Sequence, residues 1–461
     1  MKFKNIYKSA LLAMTVVMGL SVVSCNDDQG KYEPADGVPT VKYIKVTNPE
    51  SGDSLITGAY LDNLICIVGD NLKSITEIWF NDQQAVLNTS YITEHTLLVS
   101  VPSIIPGEVT NTMRLVATGG TVNYPFEVIV PGPSMTSMSC EYATPGSEVT
   151  VYGNYFVDDP NVPFTIEVTD ADGNPTGETI TEFSDFQQMQ VSFTLPASLT
   201  GNDYYFSATT VYGTAQSQFR YRDTRGMLFD FDGQTGLGNN GWHARTITSD
   251  ETSITGNFVL LGDGTTQMEE YGGWHEDPYS FEYWCGDWSV PQKFEGTTAR
   301  LNDIVDFSDF ENMVVKFEIY VPESNPWSAG SLQVIFAGTD LVTGGGNNQG
   351  NGLNESGNAV PNNTYFRSVD DNGNEINPGY PRALYTPWQS EGSFDTGGEW
   401  ITVSLPIATA FVYDDNGVTA TQQLTEDSFA SLQLFVWSGG MTGTPCTPII
   451  KIDNIRAVPN R

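Results

Sequence analysis

Eight of the nine tryptophans fall after residue 222. Trp274 lies in Tyr271-Gly272-Gly273-Trp274-His275, and Trp284 and Trp288 lie in Tyr283-Trp284-Cys285-Gly286-Asp287-Trp288. Trp327 follows Asn325-Pro326, and Trp388 follows Thr386-Pro387. These neighbours are turn formers, so the indoles are expected on loops. A flat, exposed ring beside Asp, Asn or Arg suits a sugar: the C–H face of the sugar stacks on the ring, and its hydroxyls exchange hydrogen bonds with the polar rim. Glycan contact is therefore expected at Trp274, Tyr283, Trp284, Trp288, Trp327 and Trp388. The competing role is packing, since large β-sandwiches bury tryptophan. Trp400 opens the run Trp400-Ile401-Thr402-Val403 and is expected in the core, whereas Trp437, on the face opposite Leu434 and Val436, is open to either role.

Other chemistries find less support. A retaining jelly-roll glucanase needs two carboxylates about 5–5.5 Å apart. Its alternating acidic signature is absent: Glu318 and Glu323 have the wrong spacing, and Glu269-Glu270 face opposite ways on a strand. The three histidines, His95, His243 and His275, include no pair at zinc-ligand spacing, and Trp274-His275-Glu276-Asp277 reads as a solvated loop. Gly344-Gly345-Gly346 precedes Asn and Gln rather than Lys, so no phosphate loop is expected. Asp230, Asp232 and Asp453 are candidates for a structural calcium, which a plain acidic surface explains nearly as well. No other cofactor is implied. Cys66, Cys140, Cys285 and Cys446 match no metal spacing. Cys66 reads as a small core residue, and a Cys285–Cys446 disulfide is left open.

The elements that must hold these residues are strands. The 461 residues carry 20 Lys+Arg against 56 Asp+Glu, a net charge of −36, which excludes most nucleic-acid binders. Abundant Gly and Pro, 12% aromatics and no convincing helical periodicity predict an all-β chain. Ile65-Cys66-Ile67-Val68-Gly69-Asp70-Asn71-Leu72 has a counterpart in Val149-Thr150-Val151-Tyr152-Gly153-Asn154-Tyr155-Phe156, and Val99-Ser100-Val101-Pro102 in Phe193-Thr194-Leu195-Pro196. The offsets of 84 and 94 residues describe a tandem repeat of small sandwiches. Pro131-Gly132-Pro133 is a stiff hinge between the copies. After Arg222 to Gly226 a larger module begins. Val315, Phe317, Ile319 and Val321 alternate with Lys316, Glu318 and Tyr320, as in a strand with one buried face, and Leu332, Val334 and Phe336 repeat the pattern. The expected boundaries are 1–24 for a signal peptide, 25–38 for a polar tether, 39–132 and 133–223 for Ig-like sandwiches, and 224–461 for a β-sandwich or jelly roll.

Lys2, Lys4 and Lys8 precede an apolar stretch from Ala10 to Val23, too short for a typical transmembrane helix. It ends in Val22-Val23-Ser24-Cys25, which resembles a bacterial lipobox and implies lipidation at Cys25; an ordinary signal peptide with a chance cysteine is the other reading. Asn26-Asp27-Asp28 resembles the surface-export tag of Bacteroidetes lipoproteins. Gly69 to Asn81, with Ile78-Trp79-Phe80-Asn81, resembles an IPT/TIG Ig-like domain, and the second copy is looser. With Phe229-Asp230-Phe231-Asp232-Gly233 and Ile452-Asp453-Asn454-Ile455-Arg456, the whole chain resembles the Bacteroidetes surface glycan-binding proteins of the xyloglucan-binding type. That resemblance implies non-catalytic capture of a β-glucan, xyloglucan first, by surface aromatics on the C-terminal module. It further implies an outer-membrane lipoprotein beside a glycan importer. The alternatives are an adhesion protein that binds through its Ig-like domains and a glycoside hydrolase with an unrecognised carboxylate pair.

Overall fold

A computed structural model describes residues 36–51, 54–238, 246–273, 278–285, 299–338, 342–343, 368–369, 371–373, 375–377 and 379–460. The leader and Cys25 lie outside the described residues. The chain divides into two compact units, Met1–Pro131 and Gly132–Arg461. The expected all-β architecture holds: among the described residues the α-helical segments are two four-residue turns, Leu301–Ile304 and Ile407–Ala410. No described helix is long and apolar enough to cross a membrane.

The first unit is an Ig-like sandwich. Thr40–Val46, Leu64–Asp70 and Thr96–Ser100 form one sheet, and Gln83–Gln84, Ile75–Phe80, Thr112–Ala117 and Gly120–Pro125 form the other. Alternation places Ile65, Ile67, Leu97 and Val99 against Ile78, Phe80, Met113 and Leu115 in the core. Cys66 is also buried, as a small residue of that strand.

The second unit opens with a related sandwich. Its sheets are Ser134–Met138, Glu148–Asn154, Gln190–Thr194 and Asp185–Gln187 against Pro175–Ile180, Thr165–Thr169, Tyr205–Thr210 and Gly213–Gln216. The repeat has a shared mechanical reason. A Cβ on Gly69 would meet the Thr40 carbonyl oxygen at 1.8 Å, and one on Gly153 would meet that of Ser134 at the same distance. In both copies the preceding strand is bulged at that point, and the following Asn71 and Tyr155 take left-handed φ values of 55° and 60°.

The larger module is a second kind of sandwich. One sheet runs Ile247–Thr248, Phe258–Leu261, Ile450–Pro459, Met313–Tyr320, Ile401–Pro406, with Met227–Phe229 also paired to Ile450–Pro459. The other runs Ser280–Tyr283, Ser431–Trp437, Ser331–Ala337, Arg382–Tyr385. Val315, Phe317, Ile319, Leu332, Val334, Leu434, Val436 and Ile452 fill the space between them.

The strand Met313–Tyr320 departs from the sequence reading, because both of its faces are buried. Lys316, Glu318 and Tyr320 face the second Ig-like sandwich rather than water. Arg456 bonds Glu318 at 2.8 Å and Glu141 of the Ig-like sandwich at 2.8 Å, and Lys316 bonds Glu141 at 2.5 Å. Two cations thus balance two carboxylates, and Thr402 Oγ1 donates to Glu318 at 2.8 Å. Burial pushes the Glu318 carboxyl up against the pull of Arg456, while Glu318 and Glu141 outweigh burial and hold Arg456 charged. Around this quartet Phe258, Tyr320 and Trp400 join the hydrophobic cluster of the Ig-like sandwich. The C-terminal module and the second Ig-like sandwich therefore share a core.

Candidate functional site

Among the described residues, the expected loop aromatics do not form an exposed platform. Trp327 is fully buried, and Tyr283, Trp284 and Trp388 are buried with it in the core of the large sandwich. The Trp327 Nε1–H donates to the Ala329 carbonyl at 2.5 Å, and the Trp388 Nε1–H donates to Gly330 at 2.8 Å. Tyr283 Oη donates to Ala299, and burial pushes its phenol up to about 12. The turn formers beside these rings serve packing. A Cβ at Gly330 would lie 2.8 Å from the Gly272 Cα, so the glycines let neighbouring segments close over the indoles. Trp327 packs against Tyr385 and Phe394 with centroids 6.2 and 6.4 Å away. These four positions are corrected from sugar contacts to core. Trp274 and Trp288 lie outside the described residues.

On the sheet's other face Phe435, Gln433, Gln333 and Arg382 are buried, and Trp437 at the strand end is the ring that stays partly open among the described residues. Leu432, Leu434 and Val436 point inward, and Gln433, Phe435 and Trp437 point the opposite way. Trp437 is half-buried and stacks on Phe435 with centroids 6.1 Å apart and an interplanar angle of 14°. The register places Ser331 beside Trp437, and Gln333 and Ser280 beside Phe435. Arg382 Nη1 donates to Gln333 Oε1 at 2.7 Å, and Gln333 Nε2 donates to the Trp437 carbonyl at 2.8 Å. This fixes the strand end that carries the indole. Gly272 bridges to Trp437 and Ser438 N–H donates to the Tyr271 carbonyl, so exposed Tyr271 sits beside Trp437 along the chain's surface. On the other side, Gly439 N–H donates to Asp415 of the loop that begins at exposed Tyr413. A half-buried ring backed by Phe435, with Tyr271 on the neighbouring segment and Ser438 beside it, can stack a pyranose and bond its hydroxyls. Sequence reasoning left Trp437 undecided and passed over Tyr271 and Tyr413. The alternation Gln433-Leu434-Phe435-Val436-Trp437 was the available signal.

The acidic residues do other work. Asp230 accepts the N–H groups of Asp232, Gly233 and Gln234, Asp232 accepts from Asn257, and Asp453 accepts from Thr255. The three are thus engaged separately, and among the described residues no group of three or more His, Cys, Asp or Glu is gathered for a metal ion. Cys285 and Cys446 are not joined by a disulfide; Cys285 Sγ lies 3.3 Å from both the Ala430 carbonyl and Ser431 Oγ, and burial pushes the thiol up to about 11. Glu318 and Glu141, the carboxylates that Arg456 brings together, are sealed at the shared core.

Residues 221–459 match the family model of the surface glycan-binding protein B xyloglucan binding domain. The fold is similar to the crystal structure of the surface glycan-binding protein PbSGBP-B from Prevotella bryantii. The identity is 40%, the match covers 93% of this chain and 100% of that one, and the TM-score is 0.69. An IPT/TIG domain-containing protein of Bacteroides ovatus is 28% identical over 216 residues, 44% of this chain. The chain spans only 43% of that curated relative's length.

Proposed function

The chain belongs to the family of the surface glycan-binding protein B xyloglucan binding domain, and on that premise we propose that it captures a neutral β-glucan, xyloglucan in particular, without cutting it. The observation that carries the reading is the supported indole of Trp437 between Tyr271 and the Tyr413 loop, in a module whose other described tryptophans are packed inside. Trp274 and Trp288, which lie outside the described residues, are further contact residues in this reading. Non-catalytic action is supported by the description of the 40%-identical relative as a glycan-binding protein and by the sealing of the Glu141–Glu318 pair. In this reading a lipid at Cys25 tethers the protein to the outer membrane, and the captured chain passes to a neighbouring importer.

The test is affinity electrophoresis of the full chain in gels containing xyloglucan, mixed-linkage glucan, galactomannan and starch. Retardation is expected in xyloglucan. An aromatic stack contributes about 0.5–1.5 kcal/mol beyond its buried area. Trp437→Ala should therefore weaken binding by up to about tenfold, with Tyr271→Ala smaller. Migration of Trp437→Ala identical to the parent in every gel would sink the assignment. A reducing-end assay on the same polysaccharides should stay at background.

A further inference from the structure

A second cleft lies where the second Ig-like sandwich meets the C-terminal module. Its volume is about 570 Å³, within the range of ligand pockets, and such junctions are favoured places for them. Ile254 and Ile401 are half-buried and form its open floor, backed by the buried rings of Trp400 and Tyr320, which lie 5.6 Å apart. The floor is fixed. Trp400 Nε1–H donates to the Thr252 carbonyl at 2.6 Å, and Phe258 packs on the same indole at 6.0 Å. Lys451 lies over the Phe258 and Tyr320 rings and spends its charge on Asp250 and Thr252. At the rim stand exposed Glu148, Glu251 and Glu399 with several Ser and Thr hydroxyls, and no Lys, Arg or His lines the cleft.

We infer that this cleft is a second glycan subsite, which takes a short neutral segment of the same polysaccharide. The chemistry selects the ligand. An apolar floor of Ile254 and Ile401 accepts the C–H face of a sugar, and carboxylates and hydroxyls accept from and donate to its hydroxyl groups. Three carboxylates with no cation repel an anionic glycan. Both walls are rigidly related, because the Glu141–Lys316–Arg456–Glu318 quartet joins the two domains, so the cleft needs no ordering on binding. The second Ig-like sandwich is then half of a binding site as well as a spacer. The inference rests on the glycan-capture reading, and the test separates the two.

Isothermal titration of the full chain with a xyloglucan heptasaccharide measures stoichiometry. Two variants address the cleft: Thr144→Trp, which fills it from an exposed rim position, and the pair Glu251→Ala/Glu399→Ala, which strips acceptors without adding bulk. Trp437→Ala/Tyr271→Ala removes the sheet-face site, and unchanged melting of each variant certifies its fold. Two sites in the parent, one in Thr144→Trp, one in the sheet-face double variant and none in the combination is the expected result, with the acceptor-stripped variant weakened at one site. A single site that vanishes with Trp437→Ala/Tyr271→Ala and ignores both cleft variants overturns the inference and leaves the capture reading standing. A single site abolished by the cleft variants but indifferent to Trp437→Ala/Tyr271→Ala keeps the cleft and removes the sheet-face assignment. Calcium alone titrating into the parent but not into Glu251→Ala/Glu399→Ala, with the sugar indifferent to both cleft variants, makes it a cation site and overturns the inference.

Discussion

Asp453, on the strand Ile450–Pro459, is 1% exposed; its carboxyl accepts from Thr255 Oγ1 at 2.7 Å and from the Asn454 N–H at 2.7 Å. Burial pushes this acid up to about 8, and the nearby carboxylates of Glu318 and Asp232 add to the shift. Arg456, the cation on the same strand, is committed to Glu318 and Glu141. A pKa raised on folding gives a contribution that is complete below the unfolded value of about 4 and is lost as pH rises toward 8. Asp453→Asn mimics the protonated acid, so it should match the parent near pH 4 and exceed it at pH 7–8. The gap should widen by up to about 1.4 kcal/mol per pH unit in between. Urea unfolding at several pH values reads this directly, and parallel curves for parent and variant would refute it. Tryptophan makes a different point at the same scale. Gly and Pro around Trp327 and Trp388 read as loop signals, which they are, but the backbone carbonyls of Ala329 and Gly330 take the indole N–H groups and turn the loops inward. Composition reports where the backbone turns and is silent on which way a ring faces. Trp327→Ala should cost about 3–5 kcal/mol of stability, visible as a lowered urea midpoint, where Trp437→Ala should cost little.

At the scale of strands, apolar patterning was legible but silent on what covers a polar face. In the first sandwich the apolar run Leu64 to Val68 is buried at Ile65, Cys66 and Ile67 together, as the reading of Cys66 as a core residue expects. In Met313–Tyr320 the alternation was clear, yet its polar side, Lys316 and Glu318, faces another domain. A charge paired across a buried junction looks the same in sequence as one in solvent, because its partner Glu141 is 175 residues from Lys316 and 315 from Arg456. The repeat was recoverable because its glycines answer to a local constraint. Gly69→Ala and Gly153→Ala each drive a methyl into a bulged neighbour's carbonyl. Each should lower stability by about 1–3 kcal/mol or more, and an unchanged unfolding midpoint for both would mean that the bulge yields freely.

For the second unit as a whole, the shared core sets what can be cut away. Chain begun at Gly132 keeps Glu141, Tyr142 and the aromatic cluster of Phe258, Tyr320 and Trp400 together. Chain begun at Thr224 loses Glu141, uncovers those three rings and leaves Lys316 and Arg456 with Glu318 alone. Within the intact unit, Glu141→Ala leaves two buried cations facing one carboxylate, a loss of about 3–5 kcal/mol. The residues 132–461 should therefore unfold in one calorimetric transition in which both sandwiches melt together, and Glu141→Ala should lower that transition without splitting it. The shorter fragment should melt far lower or precipitate, since the face it exposes is apolar apart from the quartet's remnants. Two separate transitions in residues 132–461, one unaffected by Glu141→Ala, would show that the quartet joins the domains geometrically but not energetically. In that case the cleft beside it would lose the rigidity on which its affinity for a sugar depends.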